Sequence, residues 1–220
     1  MLFRGMSLTD IILFIPVILF ALTGHEFAHG FVSYKLGDPT PKYEGRLSLN
    51  PFAHLDLVGT LLMLFTGFGW AKPVAINPMY YKNRKWGTVI VAFAGPLANF
   101  IMAFIAIFIY YMIYLIEIKT GIQGTVIDLL QKWFRLFAMS NISLMVFNLI
   151  PIPPLDGSRI LSLFLSEETY YKISQYERYS IILIFILSFS GVLSRILGIG
   201  INAVLSLMNT IFSLIFGLFI

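Results

Sequence analysis

Two histidines and a glutamate stand within one short run, His25-Glu26-Phe27-Ala28-His29, inside a stretch from Leu8 to Leu36 that is otherwise almost wholly apolar. On a helix, residues four apart project from one face, so His25 and His29 can ligate one metal ion while Glu26 beside them reaches a water held by that ion. A water polarised by Zn²⁺ and relieved of a proton by a carboxylate is a nucleophile for amide carbonyls. The same pentapeptide arises by chance in soluble helices. Hydrocarbon removes most of that explanation, because two imidazoles and a carboxylate are expensive in lipid and are rarely kept there without function. The chain has no cysteine, which excludes thiolate ligands and disulfides and leaves imidazole, carboxylate and amide donors. Zn²⁺ is the expected cofactor.

A second place carries chemistry. The run Asn148-Leu149-Ile150-Pro151-Ile152-Pro153-Pro154-Leu155-Asp156-Gly157 combines three prolines, which free backbone groups from a helix, with one carboxylate beside the break. A catalytic zinc usually takes three protein ligands and keeps one position open, so Asp156 is the candidate third ligand beside His25 and His29. The alternative is that Asp156 only caps the next helix and Gly157 allows close packing, and capping is compatible with ligation. The last histidine of the chain, His54, lies in Gly45-Arg46-Leu47-Ser48-Leu49-Asn50-Pro51-Phe52-Ala53-His54-Leu55-Asp56. It reads as a further ligand, a group that orients a ligand or polarises substrate, or a plain loop residue.

The elements that must position these residues are those of a membrane protein. The chain is 58% hydrophobic and 12% charged, with mean hydropathy +0.85, where soluble domains carry about 25% charged residues. The expected fold is an all-α multi-pass membrane protein of about five to six transmembrane helices, with a re-entrant segment and a small β element near the site. Apolar segments run Leu8 to Leu36, opened by a capping box of Ser7 and Asp10, then Trp86 to Ile116, Trp133 to Leu165 broken at its prolines, Tyr179 to Leu197, and Ile199 to Ile220. Leu57 to Phe68, bracketed by glycines, is too short to cross and reads as re-entrant. The first run lacks a small-residue cleavage site and holds the ligands, so it is not read as a cleaved signal peptide. One membrane-embedded domain over 1–220 is expected, with a core at 8–165 and two accessory helices at 179–220. The net charge of +4 lies mostly between apolar runs, where it acts as a topology signal, so nucleic acid is not an expected partner.

Each motif falls near the far end of its own span, about 25 Å from Leu8 to His25 and about 23 Å from Trp133 to Asn148. They meet only if both spans run the same way, which requires Trp86 to Ile116 to cross and Leu57 to Phe68 not to. The joining region from Lys35 to Lys85 is rich in Lys and Arg, which places the site toward the cytoplasmic side of the cell membrane. The N-terminus and the loop near Glu117 to Lys132 then face outward, and the segment from Ser166 to Arg178 and the C-terminus face inward. Alternation in Arg46-Leu47-Ser48-Leu49 and in Lys72-Pro73-Val74-Ala75-Ile76 predicts short strands whose edge could hold an extended substrate.

Together His25-Glu26-Phe27-Ala28-His29, Gly95-Pro96-Leu97-Ala98-Asn99 and the Asn148 to Gly157 run resemble the signature set of the site-2 intramembrane metalloproteases. Gly45 to Asp56 and Ala71-Lys72-Pro73-Val74 resemble the small prokaryotic branch without a PDZ domain. The resemblance implies His25, His29 and Asp156 as zinc ligands, Glu26 as general base, and a transmembrane protein substrate cut within or near the bilayer. An oxyanion donor is also needed, and Asn148 is the candidate, with an interhelical hydrogen bond as its alternative. Asn99 carries the same ambiguity, with packing of its span against the metal helix favoured. A metal-ion transporter would line several helices with polar groups, and a non-proteolytic zinc-binding relative would have lost Glu26 or a ligand; these are the competing classes.

Overall fold

In the computed structural model, which describes residues 7–66, 69 and 71–216, the first helix begins at the capping box. Asp10 N–H donates to Ser7 Oγ at 3.1 Å and Ser7 N–H donates to the Asp10 carboxylate at 3.0 Å, so two otherwise orphaned donors are satisfied and α1 runs Leu8–Lys35. It ends against a buried carboxylate. Asp38 accepts from the Ser33 hydroxyl at 2.8 Å, Thr40 N–H at 3.0 Å and Asn77 N–H at 2.7 Å. Burial alone would raise its pKa, but hydrogen bonds from Thr40, Asn77 and Ser33 outweigh that and hold it below the ordinary 3.8. This one side chain ties the end of α1 to α2 (Thr40–Tyr43) and to the segment leading into α4 (Arg84–Thr120).

The residues between α2 and α4 pair little with one another as strands. Leu55 and Ala71 form a single antiparallel bridge, and Lys72 N–H donates to His54 O at 2.9 Å. Among the described residues there is no strand, at 46–49 or at 72–76. Pro73 has no N–H to give a ladder, and the buried Arg46 guanidinium takes the carbonyls of Ala53 and Pro73 that a strand would offer its neighbour. Helix α3 (Leu57–Thr66) has 10 residues, a rise of about 15 Å against the roughly 30 Å of hydrocarbon. The remainder of that predicted segment, Gly67 and Phe68, lies outside the described residues.

The chain forms two units, Met1–Ala98 and Asn99–Ile220, with α4 running through the boundary. In the second, α4 continues into α5 (Thr125–Asn148), α6 (Asp156–Leu161), α7 (Glu167–Gln175), α8 (Glu177–Phe189) and α9 (Val192–Phe216). Ala103, Leu115, Ile142, Met208, Phe212 and Phe216 form its main core, with the rings of Phe104 and Phe212 centred 4.7 Å apart. The proline run breaks the fourth predicted segment between α5 and α6, as expected. The next boundary differs from expectation: the chain turns at Gly191, φ +77°, and stays helical through Gly198. A Cβ at Gly200 would lie 2.5 Å from Val146 Cγ1, so that glycine serves packing of α5 on α9 rather than a turn. Helix α8 is therefore 13 residues, about 20 Å and short of a crossing. Among the described residues three helices, α1, α4 and α9, are long and apolar enough to cross a membrane; length and composition alone do not supply the five or six expected.

Replacing Asp38 by Ala strands three donors and is expected to cost about 2–4 kcal/mol of stability at neutral pH, read by thermal unfolding in detergent. Its folded pKa lies below the ordinary value, so the ionised carboxylate stabilises above pH 3.8 and that contribution is lost as pH falls through the folded value. The penalty of the substitution should shrink only in that acid range.

Candidate metal centre

His25 and His29 stand on one face of α1 with their Nε2 atoms 3.0 Å apart. Their rings meet edge to face, centroids 4.6 Å apart. Two nitrogens bound to a tetrahedral zinc at 2.0–2.1 Å would be about 3.4 Å apart, so a small ring rotation converts this pair into two ligands. The pair fits the ion. The other nitrogen of His29, Nδ1, lies 2.7 Å from Val91 O on α4. A carbonyl only accepts, so Nδ1 carries the proton and Nε2 keeps the lone pair a metal needs.

Backbone makes room for these rings. A Cβ at Gly95 would lie 2.4 Å from His29 Nε2 and 2.5 Å from His25 Cε1. Real Cβ atoms do not approach so closely, and swinging the imidazoles aside would destroy their convergence. The Gly95-Pro96 pair noted in the sequence thus clears the site from α4, one turn beyond the Val91 carbonyl that orients it.

Glu26 is half-buried beside the pair, and its Oε2 accepts the N–H of Val74 at 3.1 Å. His54 is buried, with Nε2 2.8 Å from Ser48 O. That bond assigns the proton to Nε2, and Nδ1 is buried without a partner among the described residues. His54 joins no metal-sized group of histidines and carboxylates among the described residues. This geometry favours a role in its own loop over ligation.

The other candidates belong to the second unit. Asn148 is the last residue of α5 and donates through Nδ2 to Leu144 O at 3.0 Å, a bond within its own helix rather than to a neighbour. Its second amide hydrogen is available for an acceptor. Asp156, buried, is the first residue of α6, whose N-cap is Leu155, so it is not the cap of that helix. A Cβ at Gly157 would lie 2.2 Å from Leu149 O, which shows how tightly α6 folds back onto the end of α5. Asn99 Nδ2 donates to Asn141 Oδ1 at 2.8 Å, and Asn141 donates to Phe137 O. Both are fully buried, a polar pair joining α4 to α5. The groups left without a role on sequence grounds are Val91 O, Val74 N–H and the Arg46 guanidinium: two are backbone, and the third lies in the Gly45 to Asp56 run, where His54 is the residue singled out.

Residues 112–193 match the family model described as Peptidase family M50. The chain is similar to "Putative zinc metalloprotease YwhC" of Bacillus subtilis, 38% identical over 205 residues that cover 89% of this chain and 90% of that one. It is also similar to Rip2 of Mycolicibacterium smegmatis, which bears the same description, at 26% over 80% of this chain and 66% of that one. A third relative, MJ0611 of Methanocaldococcus jannaschii, is 30% identical over 62% of each. No solved structure matches.

Gly95→Ala should leave the helices intact but lower zinc content of the purified protein at least about tenfold, as measured by elemental analysis after dialysis. Zinc content equal to that of the native protein would show that Gly95 does not set the clearance of the site.

Proposed function

Because the chain belongs to Peptidase family M50, the site-2 protease family of zinc metallopeptidases, we propose that it hydrolyses peptide bonds within or near transmembrane segments of membrane-protein substrates. That it is a zinc metallopeptidase follows from the family and the relatives. That it is a membrane protein follows from the family and from α1, α4 and α9. The observation that carries the finer reading is the His25–His29 pair, Nε2 atoms 3.0 Å apart, on a helix apolar enough to lie in hydrocarbon. A transporter would not need a carboxylate held beside that pair.

In this proposal His25, His29 and Asp156 hold zinc within one membrane-embedded peptidase domain. Zinc, when bound, polarises the scissile carbonyl and acidifies the attacking water. Glu26 takes the proton of that water and passes it to the leaving amine. Its second oxygen is held by Val74 N–H, which leaves the other free to face the reaction. Asn148 supplies an N–H to the developing oxyanion, and His54 supports the loop beside the site. A helical substrate has its amides satisfied internally, so cleavage requires local unwinding, and Gly or Pro near the cut should favour it. Glu26→Gln should retain zinc, still accept from Val74, and lose about 10²–10⁴-fold in turnover of a panel of transmembrane helices. Asp156→Ala should lose the metal itself. Near-native cleavage by the first variant would remove Glu26 from the role, and full zinc in the second would move the third ligand elsewhere.

We also propose that α4 crosses, that α3 is re-entrant, and that α5 with α6 supplies a further crossing toward the expected five or six. The region from Lys35 to Lys85 then faces the cytoplasm, since Lys35, Lys42, Arg46, Lys72, Lys82, Arg84 and Lys85 outnumber Asp38, Glu44 and Asp56. The native chain has no Cys, so single Cys labels report topology directly. A membrane-impermeant reagent on intact cells should modify a Cys at Gln123, between α4 and α5, and spare one at Asn83 before α4. The reverse pattern, or labelling of both, would overturn this orientation.

A further inference from the structure

We infer that Arg46 is a positioning residue for the base Glu26, acting through the one peptide group that joins Pro73 to Val74. The carbonyl of that peptide accepts from Arg46 Nη2 at 3.2 Å, and its N–H donates to Glu26 Oε2 at 3.1 Å. Cation, peptide and carboxylate are thus linked in series. The peptide dipole points its positive end at Glu26 and its negative end at the guanidinium, so each bond polarises the other. Pro73 contributes twice: its ring fixes φ, and its lack of an N–H leaves this stretch no ladder to join.

The placement of Arg46 argues that this is more than loop packing. It is buried, 4% exposed, and its only other bond among the described residues is to Ala53 O. A buried guanidinium answered, among the described residues, by two carbonyls and no direct carboxylate is costly. The anion that offsets it is Glu26, one peptide away. The same loop is tied at a second point, where Lys72 N–H meets His54 O and His54 Nε2 meets Ser48 O. Residues 72–74 therefore cannot slide along α1, and the rotamer of Glu26 inherits that rigidity. Loss of Arg46 would leave the zinc ligands and the carboxylate in place, but free the peptide plane to rotate.

The inference rests on Glu26 as the base, and the test separates the two. Carbonyl-¹³C proline combined with ¹⁵N valine selects amides of Pro-Val pairs, of which this chain has two, Pro16-Val17 and Pro73-Val74. The second reports the link and the first is an internal control. In Arg46→Lys, which offers a point charge instead of a fork, the Val74 amide proton should move upfield and exchange about tenfold faster, with Val17 unchanged. Glu26→Gln should also move Val74 alone. In the same Arg46→Lys protein kcat should fall about tenfold with KM and zinc content retained. If Lys does not fold, Arg46→Gln is read the same way. An unmoved Val74 signal overturns the link, and a moved signal with native kcat overturns the positioning role. A rise in KM matching the loss in kcat makes Arg46 a substrate contact, and loss of zinc makes it structural; either overturns it. A native protein that cuts no helix in the panel would instead sink the base role of Glu26, whatever Val74 does.

Discussion

Two imidazoles placed one turn apart on a helix do not by themselves make a metal site, because each ring keeps rotamer freedom and either nitrogen can carry the proton. What removes both freedoms is the approach of α4. Val91 O fixes the tautomer and tilt of His29, and one turn on, the missing side chain of Gly95 leaves the volume into which both rings swing. Both controls are backbone features of a rigid element, so they hold position to a fraction of an ångström. A single methyl at that point would do more damage than most changes of charge.

The rest of the first unit is arranged to keep that approach intact. Its loops are held by two buried charges, Asp38 and Arg46, and among the described residues neither is answered by a direct opposite charge. Asp38 collects hydroxyl and N–H donors, and Arg46 collects carbonyls. Side chain to backbone bonds of this kind are directional and charge-assisted, so they fix short irregular segments that cannot fix themselves by ladders. Near a bilayer this matters more than in water, since a loop with unsatisfied amides has no solvent to fall back on.

Where the candidate residues fall in the fold was largely legible because their signals are local and chemical. The spacing of His25, Glu26 and His29, the capping pair Ser7 and Asp10, and the prolines before Asp156 each act within a few residues, so sequence alone placed them on the right elements. The strands predicted at 46–49 and 72–76 were not legible, because alternation describes which side chains face inward and not whether a neighbouring backbone is present to pair with. Arg46 resolves that case, since its guanidinium takes the acceptors a partner strand would have used. The shift of a helix boundary from Gly198 to Gly191 has a similar origin. Glycine marks both turns and close contacts, and only the fold tells which, with Gly191 at φ +77° and Gly200 under Val146.

Helix α5 is where composition and architecture part. It has 24 residues, about 36 Å and enough to span, yet Asp128, Lys132 and Arg135 near its start lower its hydropathy and exclude it from the helices that qualify by composition. Those groups are not scattered. They occupy the first half of the helix, where Gln131 donates to Glu117 at the end of α4 at 2.7 Å, and together with Tyr110 they line one cavity. Long basic side chains near a helix end carry their charge toward the interface while their stems stay in lipid. Downstream of Arg135 the helix is apolar apart from Ser140, Asn141, Ser143 and Asn148, with Asn141 satisfied inside the protein. A polar first half followed by an apolar second half is compatible with the further crossing proposed above for α5 with α6.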